Sequence, residues 1–246
     1  MPSLAQTSLA SAILASTIGT YIALQHPNPN PPSALCNRKP PTKHPDDDPD
    51  SFARWHLTDK HFAKFALSPL GLFSLCTIRL VLAYPPSPSP LSPLPSHLNP
   101  ELITWSPSTF LPLFFLLGIG IPLRLASYRS LGKDFTFALA EPTSLKTDGL
   151  YRWVQHPSYT AVFIIIAANV ALVGRTDGVM STWVSSDKWY SAIRDFEWAM
   201  LPVGVGVVWY AAWTRVRQEE KMLRQKFGKQ WEDWHRGTGR FLPWLF

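Results

Sequence analysis

Asp148-Gly149-Leu150-Tyr151-Arg152-Trp153-Val154-Gln155-His156-Pro157-Ser158-Tyr159 runs straight into an apolar stretch at 159–174, and its reading decides the fold. The residue before a proline is pushed out of the helical region, while proline itself is tolerated in a first helical turn. The block therefore predicts a turn that enters a helix at Pro157. Backbone donors exposed at such a start suit a carboxylate. Polar groups beside a long apolar run are costly unless used. Here they lie where a charged, water-soluble ligand and an apolar one can meet.

Working outward, five apolar runs approach the roughly 20 residues that one bilayer crossing needs. They are Leu4–Leu24, 62–84, 109–125, 159–174 and 196–213, and they predict an all-α integral membrane protein with about five transmembrane helices. The first run is rich in Ser, Thr and Ala and has no basic leader, so it reads as a weak span and not as a cleaved signal peptide. The fourth is short. It either crosses fully or begins inside the His-Pro turn and pairs with the fifth as a re-entrant hairpin. The division expected is 1–108, N-terminal transmembrane helices with Pro-rich loops, and 109–246, a core that holds the site.

Composition agrees with this class: of 246 residues 46% are hydrophobic, 16% are charged and 11 are Trp. The 24 prolines lower the mean hydropathy to near zero, but they concentrate in two segments, 26–49 and 84–107. Both segments predict extended, polyproline-like loops. The acidic residues 46–50 read as a solvated charge run, since no His or Glu stands at ligand spacing beside them, and no metal is expected. Cys36 and Cys76 are too few and too distant for a disulfide framework, and Cys76, inside an apolar run, reads as a packing residue.

The net charge of +6 is not spread evenly. If all five runs cross, 26–61, 124–158 and 214–246 share one side and carry 5, 5 and 8 basic residues, against 0, 0 and 3 opposite. Basic residues accumulate on the cytosolic side. The charge thus reads as membrane orientation and attraction to anionic headgroups, with no nucleic-acid partner.

Some sixty residues after the His-Pro turn comes Arg215-Val216-Arg217-Gln218-Glu219-Glu220. From Trp213 to about Arg236 the pattern is helical, with Val216, Leu223, Phe227, Trp231 and Trp234 near multiples of 3.6. Glu220 falls on that apolar stripe, and a buried carboxylate must be hydrogen-bonded, paired or protonated. Glu219 stands one turn after Arg215, so an i, i+4 ion pair is available.

These blocks, together with Arg124, Gly132 and Phe135 in 124–136, Leu145, Phe227-Gly228, Trp231 and Pro243 in the same order, resemble the isoprenylcysteine carboxyl methyltransferase family and its phospholipid methyltransferase relatives. The resemblance covers roughly the last half of the chain. It implies S-adenosyl-L-methionine as cofactor, with Leu145, Gly149, Tyr151, His156, Tyr159, Glu219 and Glu220 as its contacts. It implies Arg215 as a holder of the acceptor carboxylate, a prenylated protein or prenylcysteine and membrane lipid as partners, and the endoplasmic reticulum membrane with the site facing the cytosol.

The family has arginine where this chain has Gln155, and glutamine brings no charge. Arg152, one turn away, is the candidate to stand in, completing an expected catalytic set of Arg215, Gln155 and Arg152. An ionised carboxylate needs no general base, because its ordinary pKa lies well below neutrality. The alternatives are a phospholipid or small-amine N-methyltransferase, which would need such a base, and a noncatalytic or reductase-like membrane relative.

The basic asymmetry generates a topology prediction. Glycosylation acceptor sites engineered into 124–158 or 214–246 should stay unmodified in microsomes, and efficient modification at either would overturn the orientation.

Overall fold

The computed structural model describes residues 1–28, 60–84, 96–184 and 186–243. Cys36, the acidic run 46–50 and residues 29–49 and 85–95 of the two Pro-rich segments lie outside the described residues. Over 96–107 the expected extended loop is instead folded, with a 3-10 turn at Pro100–Leu102 and Leu98, Leu102 and Ile103 buried. Seven α-helices position the rest: α1 (Leu4–Leu24), α2 (Lys60–Ala83), α3 (Pro107–Phe114), α4 (Ile121–Leu131), α5 (Pro157–Val173), α6 (Asp187–Phe227) and α7 (Lys229–Arg236). No strand occurs among the described residues, and a parallel bridge joins Val154 to Gly239. The chain is an all-α membrane protein.

All five apolar runs are helical. Three helical stretches, Leu4–Leu24, Lys64–Ala83 and Pro100–Asp134, are long and apolar enough to cross a membrane. The third joins α3 to α4 through a wide π-helical turn, Phe115–Gly120. Within it α3 starts where Ser106 and Thr109 form a capping box around Pro107, which supplies the preset φ of a first helical residue. The fourth run forms the shorter α5, of 17 residues, which begins at Pro157 as the His-Pro turn predicts. The fifth is the middle of α6, whose 41 residues extend about 60 Å at 1.5 Å per residue.

Packing divides the chain into two compact units. One comprises Met1–Ala23, Leu67–Pro122 and Val162–Val205. Within it the fully buried Leu9, Ile13, Leu116 and Ile165 form the apolar centre. Gly120 allows close approach there: a Cβ on it would stand 3.0 Å from Ile165 Cγ1 and 3.1 Å from Ile164 Cγ2. Polar links join helices where water is scarce, as Thr17 Oγ1 donates to Ser74 Oγ (2.9 Å) and Asn169 Nδ2 to Thr20 Oγ1 (3.1 Å). Such bonds in membranes average about 0.6 kcal/mol. Cys76 is half-buried here as a free thiol.

The other unit comprises Leu24–Ala66, Leu123–Ala161 and Gly206–Phe246. These are, within a few residues, the three segments in which 18 of the 23 basic residues stand. The unit contains both motif blocks. One expectation is corrected inside it. The periodic stretch read as one helix from Trp213 to about Arg236 is two helices, because Gly228 takes φ +52° and ψ −123° between α6 and α7. L side chains rarely adopt that conformation, so a glycine can end the helix while the apolar spacing continues. Arg224 Nε bridges the break to Glu232 Oε1 at 3.0 Å.

A Cβ on Gly228 would meet nothing within 4 Å, so its cost is conformational and not steric. Gly228→Ala should destabilise the protein by roughly 1–3 kcal/mol. Thermal unfolding in detergent should show the lowered midpoint. An unchanged midpoint would mean that the break does not depend on glycine.

Candidate functional site

The site is assembled from a turn, a helix and a C-terminal strap, all in the unit that holds Gly206–Phe246. Gly149, at φ +59°, opens a short 3-10 turn, Gly149–Arg152, that leads into the His-Pro turn. The strap 237–241 lies along it: Gly239 N donates to Trp153 O (3.3 Å), Gln155 N to Gly239 O (2.8 Å) and His156 N to Arg240 O (2.9 Å). Trp234 Nε1 donates to Tyr151 O and Thr160 Oγ1 to Phe241 O, at 2.8 and 2.6 Å.

Gln155 secures the strap with its whole amide. Nε2 donates to Thr238 O (2.8 Å), Thr238 Oγ1 (2.8 Å) and His235 O (3.2 Å), while Oε1 pairs with His235 Nδ1 at 2.8 Å. The side chain is buried. The amide nitrogen and the amide oxygen are thereby both committed to residues about 80 positions away.

At the centre His156 lies between two carboxylates on consecutive positions of α6. Its Nδ1 is 3.5 Å from Glu219 Oε2 and its Nε2 is 3.7 Å from Glu220 Oε1. Tyr159, three residues on, donates its hydroxyl to Glu219 Oε1 at 2.6 Å. Arg215 Nε reaches the same oxygen at 3.3 Å, and its Nη2 donates to Phe137 O at 2.7 Å. Arg240 grips Glu220 with two nitrogens, Nε to Oε1 at 2.7 Å and Nη2 to Oε2 at 3.3 Å. The Arg215 side chain is only 2% exposed, so its partners are what make its burial tolerable.

Burial works against the charges of His156, Glu219 and Glu220, yet these groups and their arginine partners sustain one another. Desolvation pulls the His156 imidazole down, but the Glu219 and Glu220 carboxylates outweigh it and the pKa is raised above the ordinary 6.5. Burial pushes Glu220 up, while His156 and Arg240 bring it down to about 2. Glu219 is likewise held below its ordinary value, by His156 and Arg215 against burial. With His156 protonated the five groups carry one net positive charge. His156 Nε2 is also buried without a hydrogen-bond partner among the described residues, with Glu220 Oε1 at 3.7 Å.

Of the residues expected from sequence, His156, Tyr159, Arg215, Glu219 and Glu220 come together here. Tyr151 is buried nearby, within electrostatic range of Glu219. Leu145 is half-buried and Gly149 exposed. Arg152 is exposed and stands over the Trp153 ring at 5.4 Å. Two residues were not anticipated in these roles. Arg240 sits in a turn without periodicity, so no pattern marks it. Arg124 had a weak signal, a cation at the end of an apolar run. It is buried among the Tyr128, Phe135 and Phe137 rings (4.9–5.5 Å) and donates to the Tyr128 hydroxyl (2.9 Å), Ser158 O (3.2 Å) and Ser158 Oγ.

Residues 112–201 match the isoprenylcysteine carboxyl methyltransferase family. The matched stretch includes the His-Pro turn and ends before Arg215, so the glutamate pair joins it only through the fold. The match supports a membrane methyltransferase. No curated protein and no solved structure matches the chain.

The signs of the shifts give a pH prediction. His156, raised in the native state, contributes stability that is complete below pH 6.5 and is lost as pH rises through its native pKa. Glu219 and Glu220, lowered, contribute stability present above 4.5 and lost on acidification, for Glu220 as pH falls toward about 2. The unfolding temperature in detergent should therefore fall on both sides of that window. His156→Gln should remove much of the alkaline fall. An identical alkaline slope in both proteins would contradict the ionic assignment.

Proposed function

We propose that this protein transfers a methyl group from S-adenosyl-L-methionine to the carboxylate of a prenylated cysteine, at the cytosolic face of the endoplasmic reticulum membrane. The observation that carries this reading is the convergence of His156 and Tyr159, from the family-matched stretch, with Glu219 and Glu220, from outside it.

The donor set suits the cofactor. S-adenosyl-L-methionine supplies, when bound, an electrophilic methyl on a cationic sulfur, and carries an ammonium and a carboxylate besides. Glu219, Glu220 and the Tyr159 ring are the proposed contacts of the cationic parts, local negative faces in a cluster whose imidazole and arginines balance them. The orphan His156 Nε2 is a donor for the carboxylate when protonated. Leu145, Gly149 and Tyr151 are the proposed frame for the adenosine.

The acceptor carboxylate arrives ionised, so the protein has only to align it, keep water away and offset its charge. Arg215 offsets charge from its buried position while it holds Glu219 in place. A phospholipid or small-amine acceptor would instead have to lose a proton to a base. Glu219 and Glu220, held below the ordinary carboxylate range, are poor bases, which favours an acceptor that arrives already ionised.

Full-length protein in detergent or vesicles should transfer radiolabelled methyl to a farnesylcysteine analogue and not to phosphatidylethanolamine. Glu220→Ala and His156→Ala should each weaken cofactor binding at least tenfold, about 1.4 kcal/mol or more, with helical content retained. Unchanged cofactor affinity in both would remove the proposed site, and preferential labelling of the phospholipid would replace the acceptor.

A further inference from the structure

A carboxylate acceptor needs a cation that it can touch, and three expected groups are poorly placed to provide it. Gln155 has no charge, and its amide is committed to His235 and Thr238. Arg152 is exposed over Trp153. Arg215 is 2% exposed, with its guanidinium on Glu219 and Phe137 O.

Arg240 is placed differently. Its backbone carbonyl accepts from His156 N, so the residue is registered against the His-Pro turn itself. Its side chain is 26% exposed while the Glu220 carboxylate that holds it is 8% exposed. The contacts with Glu220 run through Nε and Nη2, and Nη1 makes no hydrogen bond among the described residues. A guanidinium has five N–H groups in a planar fork, so one carboxylate can hold it while another is bound.

The surroundings of Arg240 suit an amphipathic molecule. Its guanidinium carbon stands 5.7 Å from the Trp213 ring centre. Trp213 stacks on Trp209, one turn earlier on α6, at 6.1 Å, and Phe241 packs at 5.5 Å from Trp209 and 6.4 Å from Trp213. Trp209 and Trp213 are 49% and 36% exposed. An aromatic surface thus leads from the cation along the helix whose apolar run precedes it.

Resting on the methyltransferase reading above, we propose that Arg240 is the anchor for the anionic head of the acceptor, whose apolar chain lies against Trp213 and Trp209. Gln155 is a positioning residue for that anchor: it fastens the strap that delivers Arg240. The charge absent at position 155 is supplied through the loop which that side chain holds.

The test is equilibrium binding of radiolabelled farnesylcysteine and of farnesylcysteine amide, with the carboxylate neutralised, to full-length protein in detergent. Wild type should prefer the carboxylate by about tenfold. Arg240→Gln should abolish the preference by weakening the carboxylate while leaving the amide unchanged. Gln155→Arg should gain no carboxylate affinity and lose some, because the strap loses its fastening. If Arg240→Gln loses both ligands, Arg240→Lys decides. It keeps a cation on Glu220 without the fork, so a reduced preference with intact amide binding supports the anchor, and an unchanged preference overturns it. Full discrimination in Arg240→Gln overturns the anchor alone. A wild type that binds neither ligand, or both equally, overturns the carboxylate-acceptor reading and the anchor with it.

Discussion

The placement of one buried imidazole between two adjacent carboxylates, Glu220 buried and Glu219 half-buried, is the constraint on which the rest of this site depends. Glu219 and Glu220 follow each other on one helix, so their side chains diverge, and bringing both toward one ring requires His156 in the angle between them. Two like charges in so dry a place are tolerable only with cations on their outer sides. Arg215 fills one side and Arg240 the other. The two arginines come from opposite ends of the C-terminal region, one on α6 and one on the strap, so the strap is part of the charge balance and not an appendage.

That arrangement explains several local choices at once. Pro157 starts α5 directly after His156, which orients the imidazole at a helix entrance and leaves its backbone N–H for the strap. Tyr159, three residues on, faces the same pocket and satisfies a Glu219 oxygen. Arg124 ties the first turn of α5 through Ser158 and is itself enclosed by aromatic rings, so the helix entrance is held from behind. Gly228 breaks the long helix so that α7 can turn and place Trp234 and His235 on the block they fasten.

Gln155 shows why a substitution at a motif position is hard to read alone. As a departure from the family's arginine it suggested a weakened clamp. In the fold its amide is a four-way fastening between the turn and residues 235–238. Its neutrality fits that task, since a buried guanidinium there would add charge beside Arg240 and His156.

The sequence by itself determined the elements whose causes are local. Apolar run length set the membrane helices, the His-Pro step set the start of α5, the i, i+4 spacing set the Arg215–Glu219 pair, and the position of Glu220 on an apolar stripe announced a buried carboxylate in need of partners. Tertiary structure alone decided who those partners are. Arg240 stands 20 residues beyond Glu220 in a turn with no periodicity, and Gln155 meets Thr238 across 83 residues. Pairings of that range depend on how the chain returns on itself, which hydrophobic spacing does not encode. The helix break at Gly228 escaped for a related reason: the apolar period runs on past it, and only the positive φ shows that the axis does not.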